Sequence, residues 1–222
     1  DTLVVDASAE AGSVTLSAGF SPSYSVTSVS GHFQIEAYRI EKVKFTGGSG
    51  NDSINTGSGG VTVDGGGGTD YWQADLSSLV SSVTFALGTT TAIAPAGLTS
   101  ILGIERINLT LGSGKDVITG GALADSVFGG AGDDTIDLKS RSGAGIDFAD
   151  GGLGIDTLIV DASAETLAVS LDIGSSPTHA VNSISGNFDI DAYSFEKIKF
   201  TGGAGDDSIN TGSGGIIVDG GA

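Results

Sequence analysis

Two patterns of apolar and polar positions occur in alternating segments of the chain. In the first, apolar and polar residues alternate one by one, as at Val14 and Leu16. Because successive side chains of a strand point to opposite faces, this pattern predicts half-buried β-strands. It runs through residues 1–46, 74–110 and 160–201, where no helical period extends for any length. Further examples are Phe33, Ile35 and Ala37, and Val43 and Phe45 between Lys42 and Lys44.

The second pattern is a unit of nine residues. Residues 47–55 read Gly-Gly-x-Gly-x-Asp-x-U-x, where U is a large apolar residue. The first six positions predict a tight turn, and the last three predict a short strand with one side chain pointing inward. A lone strand of three residues is unstable, so we expect the units to stack and bury a column of apolar side chains. The predicted column contains Ile54, Trp72, Ile118, Val127, Ile136 and Leu158.

These units form three arrays that alternate with the strand-like segments. Two units depart from the pattern, with Val61 and Ile216 where the others have Asp, and four inserted residues, Leu138 to Arg141, interrupt the middle array. The segments run directly into one another without a linker. The predicted divisions are 1–46, 47–73, 74–110, 111–159, 160–201 and 202–222.

A longer repeat contains both patterns. Residues 1–66 align without a gap with residues 156–221, and 43 of the aligned positions are identical. A third, diverged copy lies between them, with Asp70 and Asp75 where the first copy has Asp1 and Asp6. The expected fold is all-β: a parallel β-roll or β-solenoid, with wider β coils or small β-meanders between the arrays. We favour one continuous, elongated solenoid and expect these residues to be a window on a longer tandem array.

Composition narrows the choice of partners. The chain has 38 glycines, and its 27 acidic against 9 basic residues give a formal charge of -18. Nucleic acid and anionic membranes would be repelled by this charge, whereas cations would be attracted. The chain has no cysteine, which excludes disulfides and thiolate metal sites, and no apolar run of about 18 residues that predicts a membrane span. Turns rich in Asp and in backbone carbonyls offer hard oxygen ligands, which favour Ca²⁺.

The nine-residue unit resembles the nonapeptide of RTX proteins. The resemblance implies a β-roll in which two units form one coil and several Ca²⁺ ions lie between turns n and n+2 on each side. It also implies type I secretion and an extracellular location. The Asp pairs that would share a side are Asp52 with Asp70, Asp116 with Asp134, Asp125 with Asp147, and Asp134 with Asp156.

The insertion leaves the geometry of the last two pairs open. Asp207 and Asp1 have no partner within the chain, and Val61 and Ile216 indicate incomplete sites on the opposite side of the outer arrays. The carried-over metal ligands are Asp52, Asp70, Asp116, Asp125, Asp134, Asp147, Asp156 and Asp207, with Gly48, Gly50, Gly66, Gly68, Gly112, Gly114, Gly130, Gly132, Gly152, Gly154, Gly203 and Gly205, and with Asn51, Asp133 and Asp206 as weaker candidates.

The other chemically capable residues fit structural roles. His32 and His179 do not recur between copies, so we expect them on the surface, and Trp72 is expected in the core. Three acid–base neighbours recur and predict solvent-facing ion pairs at strands. These are Glu41 with Lys42, Glu105 with Arg106, and Glu196 with Lys197.

No catalytic constellation is present in the sequence, so we expect no enzyme in this segment. Paired carboxylates recur in every repeat, whereas an active site is normally single. The main hypothesis is a Ca²⁺-folding structural segment of a secreted or cell-surface bacterial protein, of adhesin, S-layer or matrix-fibre type, with neighbouring copies as partners. Two alternatives remain open: the Ca²⁺-dependent folding tail of a secreted enzyme, and a surface module that binds glycan or protein.

Overall fold

A computed structural model describes most of the chain. The described residues are 1–18, 23–28, 34–58, 60–88, 100–139, 145–173, 178–183, 189–210 and 215–220. Several residues named above lie outside this part, namely His32, Phe33, Arg141 and the side chains of Val61, His179 and Ile216. No described segment forms a helix with the length and apolar character needed to cross a bilayer.

The described chain is built from strands and turns without a helix. The strands are β1 (Thr2–Asp6), β2 (Val14–Ala18), β3 (Ser23–Ser28), β4 (Gln34–Tyr38), β5 (Lys42–Thr46), β6 (Ser53–Gly57), β7 (Gly60–Asp64), β8 (Tyr71–Asp75), β9 (Thr84–Ala86), β10 (Ser100–Leu102), β11 (Arg106–Thr110), β12 (Val117–Thr119), β13 (Ser126–Phe128), β14 (Thr135–Asp137), β15 (Asp147–Asp150), β16 (Thr157–Asp161), β17 (Val169–Ile173), β18 (Thr178–Ser183), β19 (Asp189–Tyr193), β20 (Lys197–Thr201), β21 (Ser208–Asn210) and β22 (Gly215–Asp219).

Three sheets, here called A, B and C, contain these strands. Sheet A has the order β1-β5-β7-β10, and sheet C has the order β22-β20-β16-β14-β12-β9. Sheet B has twelve strands in the order β21-β17-β18-β19-β15-β13-β11-β8-β6-β2-β3-β4. Through the arrays the chain passes back and forth between sheet B and sheet A or C. All strand pairs that join successive coils are parallel.

Two nine-residue units make one coil. Ser53 pairs with Tyr71 in sheet B, and Val117 pairs with Thr135 in sheet C, so in uninterrupted stretches of an array a strand pairs with the strand eighteen residues later. This register brings the same position of every second unit to the same side of the molecule. The predicted parallel β-roll is therefore confirmed.

The predicted apolar column forms the core. Ile54, Trp72, Ile118, Val127, Ile136 and Leu158 are all 0% exposed. Trp72 also donates its indole N–H to Oγ1 of the buried Thr56 at 3.0 Å, and its ring packs edge-on against Phe85 with centroids 5.6 Å apart. A buried indole N–H needs such an acceptor, so Trp72 is a satisfied core residue, as predicted.

The outer copies of the long repeat each insert an antiparallel meander into sheet B. β3 pairs antiparallel with β2 and β4, and β18 pairs antiparallel with β17 and β19. The meander edges continue the sheet in parallel, because β2 pairs with β6, β17 with β21 and β19 with β15. In the middle copy, β9 joins sheet C and β10 joins sheet A. The meanders are thus part of a sheet that also contains the array strands.

Candidate metal centres

In most units the sixth residue is an Asp, and this Asp bonds to the neighbouring coil. The amide N–H of Asp52 donates to Oδ1 of Asp70 at 2.7 Å, and that of Asp116 donates to Oδ1 of Asp134 at 2.8 Å. Where no Asp precedes, another residue donates in the same way, as Val14 does to Asp52 at 2.8 Å. We call these rows the carboxylate ladders. They bring together the Asp pairs that the resemblance to RTX repeats placed on one side.

The insertion in the middle array leaves the ladder geometry unchanged. Asp125 and Asp147 are 22 residues apart, as are Asp134 and Asp156, yet in both pairs the amide N–H to Oδ1 distance is 2.8 Å. The extra residues therefore change the connection between strands without changing the spacing of the turns. The geometry that the sequence left open is the same as in the uninterrupted pairs.

One oxygen of most ladder carboxylates is buried without a hydrogen bond. While Oδ1 accepts an amide N–H, Oδ2 has no hydrogen bond and no access to solvent in five of these residues: Asp70, Asp116, Asp134, Asp156 and Asp207. A buried, unpaired carboxylate oxygen costs several kcal/mol unless a cation or donor meets it. These oxygens point to missing positive charge beside the ladder.

In several units, a glycine at the first position leaves room beside the carboxylate of the unit's Asp. A Cβ on Gly129 would lie 2.6 Å from Oδ2 of Asp134 and 2.5 Å from the carbonyl oxygen of Gly151 in the next coil. Gly47 is surrounded in the same way by Oδ2 of Asp52 and the carbonyl oxygen of Gly65. We call each such space a cradle. The further cradles are at Gly65, Gly151 and Gly202.

Burial raises the pKa of the ladder carboxylates. The pKa of Asp70 is raised to about 7, chiefly because the group loses contact with water and further because Asp52, Glu105 and Asp64 are close; the amide of Asp52 opposes the shift. The pKa of Asp134 is raised to about 7 for the same main reason, with Asp116, Asp156 and Asp133 as the neighbouring charges. Burial likewise raises the pKa of Asp52, Asp116 and Asp156. The crowded carboxylates favour a proton or a cation.

The predicted glycines at positions two and four stack the turns. The carbonyl of Gly48 accepts the amide N–H of Gly67 at 2.8 Å, and the carbonyl of Gly112 accepts that of Ala131 at 2.7 Å. In the later turns of an array these glycines have positive φ, such as 126° at Gly68. The remaining members of the set pack against the backbone of the preceding turn: Gly50, Gly66, Gly114, Gly130, Gly132, Gly152, Gly154, Gly203 and Gly205.

The sequence missed the glycine at position one. Its carbonyl, and not that of position two or four, lies in the cradle of the coil before it, as Gly65 and Gly151 show. The repeated Gly-Gly doublet was the available signal. Since both glycines of the doublet recur, the sequence alone did not show which of them faces the carboxylate.

The weaker candidates at position five lie elsewhere. Oδ1 of Asn51 accepts the amide N–H of Thr69 at 2.9 Å, and Oδ1 of Asp133 accepts that of Ile155 at 3.0 Å. These side chains therefore tie one turn to the next. Asp206, at the same position in the last array, is exposed.

The two ends of the chain differ from the other turns. Oδ1 of Asp207 accepts the amide N–H of Val169 at 2.9 Å, and its Oδ2 lies in the cradle of Gly202 together with the carbonyl of Gly220. The amino group of Asp1 is bonded to Glu41. The structure thus brings a carbonyl to Asp207, which the sequence had left without a partner.

The structure corrects the expectation of ion pairs between neighbouring Glu and basic residues. Oε2 of Glu105 accepts the amide N–H of Asp70 at 2.8 Å, so this side chain ends a carboxylate ladder. Arg106 instead lies over the ring of Tyr71, 5.5 Å from its centroid, and donates to the carbonyl of Ala124. Glu105 lies in the turn before β11 and Arg106 is the first residue of that strand, so the adjacent acid and base need not meet.

The donor set suits a hard cation. Among the described residues no three Asp, Glu or His side chains converge as a metal cluster, so a site must include main-chain carbonyls. Each cradle offers a carboxylate oxygen and a carbonyl oxygen, and Ca²⁺ accepts such mixed oxygen ligands in flexible geometry. Mg²⁺ demands a stricter octahedron and retains its waters. The unpaired oxygens and the cradles therefore fit Ca²⁺.

Comparison with known proteins agrees with this chemistry. A family model for the RTX calcium-binding nonapeptide repeat matches in four copies, at residues 46–71, 110–140, 141–170 and 199–222. Together the matched segments make up half of the 222 residues. No curated protein matches the chain.

Proposed function

Because the chain belongs to the RTX calcium-binding nonapeptide repeat family, we propose that it is a structural segment that folds on binding Ca²⁺ outside the cell. The parent would be a secreted or cell-surface bacterial protein of adhesin, S-layer or matrix-fibre type. Calcium-binding repeats of this family are structural, and the segment carries no catalytic role in this proposal. Tandem duplication of one long unit supports a spacer that sets a distance.

The rows of buried carboxylates, each with one unpaired oxygen, carry the proposal. Without a cation, ionised carboxylates such as Asp70 and Asp134 are held apart from water and close to other acids, which destabilises the folded chain. The glycine-rich turns add a large loss of conformational entropy on folding. Bound Ca²⁺ supplies the missing positive charge.

The concentration of free calcium would act as the switch. Extracellular calcium modules have dissociation constants of roughly 10⁻⁴–10⁻³ M. At the much lower calcium concentration of a cytosol the cradles would stay empty and the chain would stay unfolded, which suits export. A ligand that binds the native state alone stabilises it by mass action, so calcium outside the cell would drive folding.

Far-UV circular dichroism during a Ca²⁺ titration tests this function. Starting from a chelated sample, we expect a cooperative gain of β signal near millimolar Ca²⁺ and no comparable gain with Mg²⁺. A full β spectrum in the presence of chelator would show that the core folds without the ion. The proposed link between calcium and export would then be wrong.

A second candidate function is ligand binding on the outer face of sheet B. Phe128 and Phe148 lie with ring centroids 5.0 Å apart, and Phe148 and Tyr193 lie 5.3 Å apart, on neighbouring strands. Phe128 is 36% exposed, and Asp150 and Asp191 alternate with the rings. Flat rings beside carboxylates suit the apolar face and the hydroxyls of a sugar. A glycan array with the wild type and Phe148→Ser tests this candidate, which predicts sugar binding that the substitution abolishes.

A further inference from the structure

Three short turns share an unusual backbone. We call them closing turns: Arg39-Ile40-Glu41, Gly103-Ile104-Glu105 and Ser194-Phe195-Glu196. The first residue of each has a left-handed backbone, with φ of 59°, 55° and 56°. For Arg39 and Ser194 this conformation costs about 1–2 kcal/mol, because both carry a Cβ. A strained conformation that recurs at the same place indicates a function there.

Two of the closing turns end a carboxylate ladder through their Glu, and Glu41 in the third accepts the amino terminus of Asp1. Glu105 accepts the amide N–H of Asp70 and Glu196 accepts that of Asp156, both at 2.8 Å through Oε2. Elsewhere in the ladder this acceptor is an Asp at the end of a six-residue turn. A closing turn has only three residues, and the longer Glu side chain spans the difference. Oε1 of the Glu remains for another partner.

The left-handed residue aims its carbonyl at the cradle below. Beside Gly65, a Cβ would meet the carbonyl oxygen of Gly103 and, at 2.6 Å, Oδ2 of Asp70. In the cradle of Gly129 the corresponding carbonyl comes from a nonapeptide glycine, Gly151. Asp70 is 0% exposed and its Oδ2 is unpaired. A closing turn thus supplies the carbonyl that a full nonapeptide would supply.

The cradle of Gly151 repeats this arrangement. A Cβ there would meet the carbonyl oxygen of Ser194 and would lie 2.9 Å from Cγ of Asp156. Asp156 is 0% exposed, and its Oδ2 has no hydrogen bond. One residue before this glycine, Oδ1 of Asp150 is also buried without a partner. Two independent places in the chain therefore show the same unmatched oxygens under a closing turn.

We propose that the closing turns at 103–105 and 194–196 complete calcium sites of a second kind, each half nonapeptide and half closing turn. One site combines Asp70, the carbonyl of Gly103 and Glu105. The other combines Asp156, the carbonyl of Ser194 and Glu196. The inference rests on the proposed binding of Ca²⁺ to the nonapeptide cradles and adds ligands that lie outside the nine-residue pattern.

Calcium counting tests the proposal. Equilibrium dialysis against radioactive Ca²⁺ would give the number of bound ions for the wild type, Glu105→Gln, Glu196→Gln and the double variant. Gln keeps the size of the side chain and an oxygen that can accept the Asp amide, so the substitution removes the charge alone. The exposed Glu36→Gln is the matched control. Each single variant should lose one ion or bind it roughly 10–100-fold more weakly, the double variant should lose two, and the control none.

Two results would overturn the proposal and are distinguishable. If the wild type binds Ca²⁺ and both variants keep its ion count and affinities, the Glu residues only accept hydrogen bonds. If the wild type binds no Ca²⁺, the proposed function fails as well. Crystals grown with Ca²⁺ give a check that needs no variant: anomalous peaks should lie about 2.3–2.6 Å from Oδ2 of Asp70 and the carbonyl of Gly103. Peaks at the Gly129 cradle alone would reject the closing-turn sites only.

Discussion

Replacing Asp134 by Asn should have opposite effects with and without calcium. The residue is 1% exposed, its Oδ1 accepts the amide N–H of Asp116, and its Oδ2 is unpaired beside the carbonyl of Gly151. An Asn side chain keeps an oxygen for the amide and places an N–H₂ donor next to the carbonyl. The substitution removes the buried charge but keeps the shape of the ladder.

The magnitude follows from the pKa. Burial raises the pKa of Asp134 from 3.8 to about 7, and the nearby charges of Asp116, Asp156 and Asp133 contribute less to this rise. Each pH unit of that difference corresponds to about 1.4 kcal/mol. Near pH 7.5 the ionised carboxylate therefore costs the metal-free fold up to about 4 kcal/mol, and Asp134→Asn should recover roughly half of this or more.

Urea unfolding followed by circular dichroism, in chelator and in excess Ca²⁺, measures both effects. In chelator the variant should be more stable than the wild type; if the chelated wild type is unfolded, the gain shows as new β signal. In Ca²⁺ the variant should be less stable, because a charged ligand is lost. Asp75→Asn is the matched control, since Asp75 also accepts one amide N–H, from Ser77 at 3.0 Å, but is exposed.

A loss of stability in chelator would refute the reasoning. It would mean that the ionised carboxylate stabilises the metal-free fold through its hydrogen bond more than burial destabilises it. If Asp75→Asn gains the same stability in chelator, the reasoning also fails, because the effect then comes from the net charge and not from the burial of Asp134.

Three further predictions follow from the turns and the core. The pKa of Asp70 is about 7 in the folded chain, against an ordinary value of 3.8. The metal-free fold should therefore gain stability as pH falls from 8 to 5. Chelated samples that unfold more readily at pH 5 than at pH 8 would contradict this. Gly129→Ala would push a methyl group against Oδ2 and a carbonyl and should weaken Ca²⁺ binding in calorimetry, whereas Gly67→Ala, with its nearest atom at 4.0 Å, should not. Trp72→Phe should lower the urea stability of the Ca²⁺-bound protein by roughly 1–3 kcal/mol, because it leaves the buried hydroxyl of Thr56 without its donor; an unchanged midpoint would show that this bond adds nothing.

The sequence was sufficient for the repeating parts of the fold. The nine-residue period alone identified Ile136 and Leu158 as inward-facing, and the resemblance to RTX repeats placed Asp116 and Asp134 on one side. Such predictions succeed because a solenoid coil contacts only its neighbours, so one period determines both the strand and its partner.

The parts of the fold and of the site that the sequence did not predict depend on contacts that do not follow the nine-residue repeat. Glu105 appeared to be a strand residue beside a base, because its bond to Asp70 joins positions 35 residues apart through a turn of different length. The choice of Gly65 over Gly66 as the residue whose carbonyl faces the cradle depends on how closely coils stack. The meanders were only one of two alternatives, since alternation predicts a strand but not the direction of its partner.

Each meander lengthens one face of the molecule. It adds two strands to sheet B that have no counterpart in sheets A and C, and neighbouring strands lie about 4.8 Å apart, so the B face gains ~10 Å per meander. A stack with one longer face would bow, with the longer B face on the outside of the curve. Since the offset of 155 residues repeats the meander in the same place, the bow recurs in each copy. A tandem array of this unit would follow an arc, and the length of the meander would set its radius.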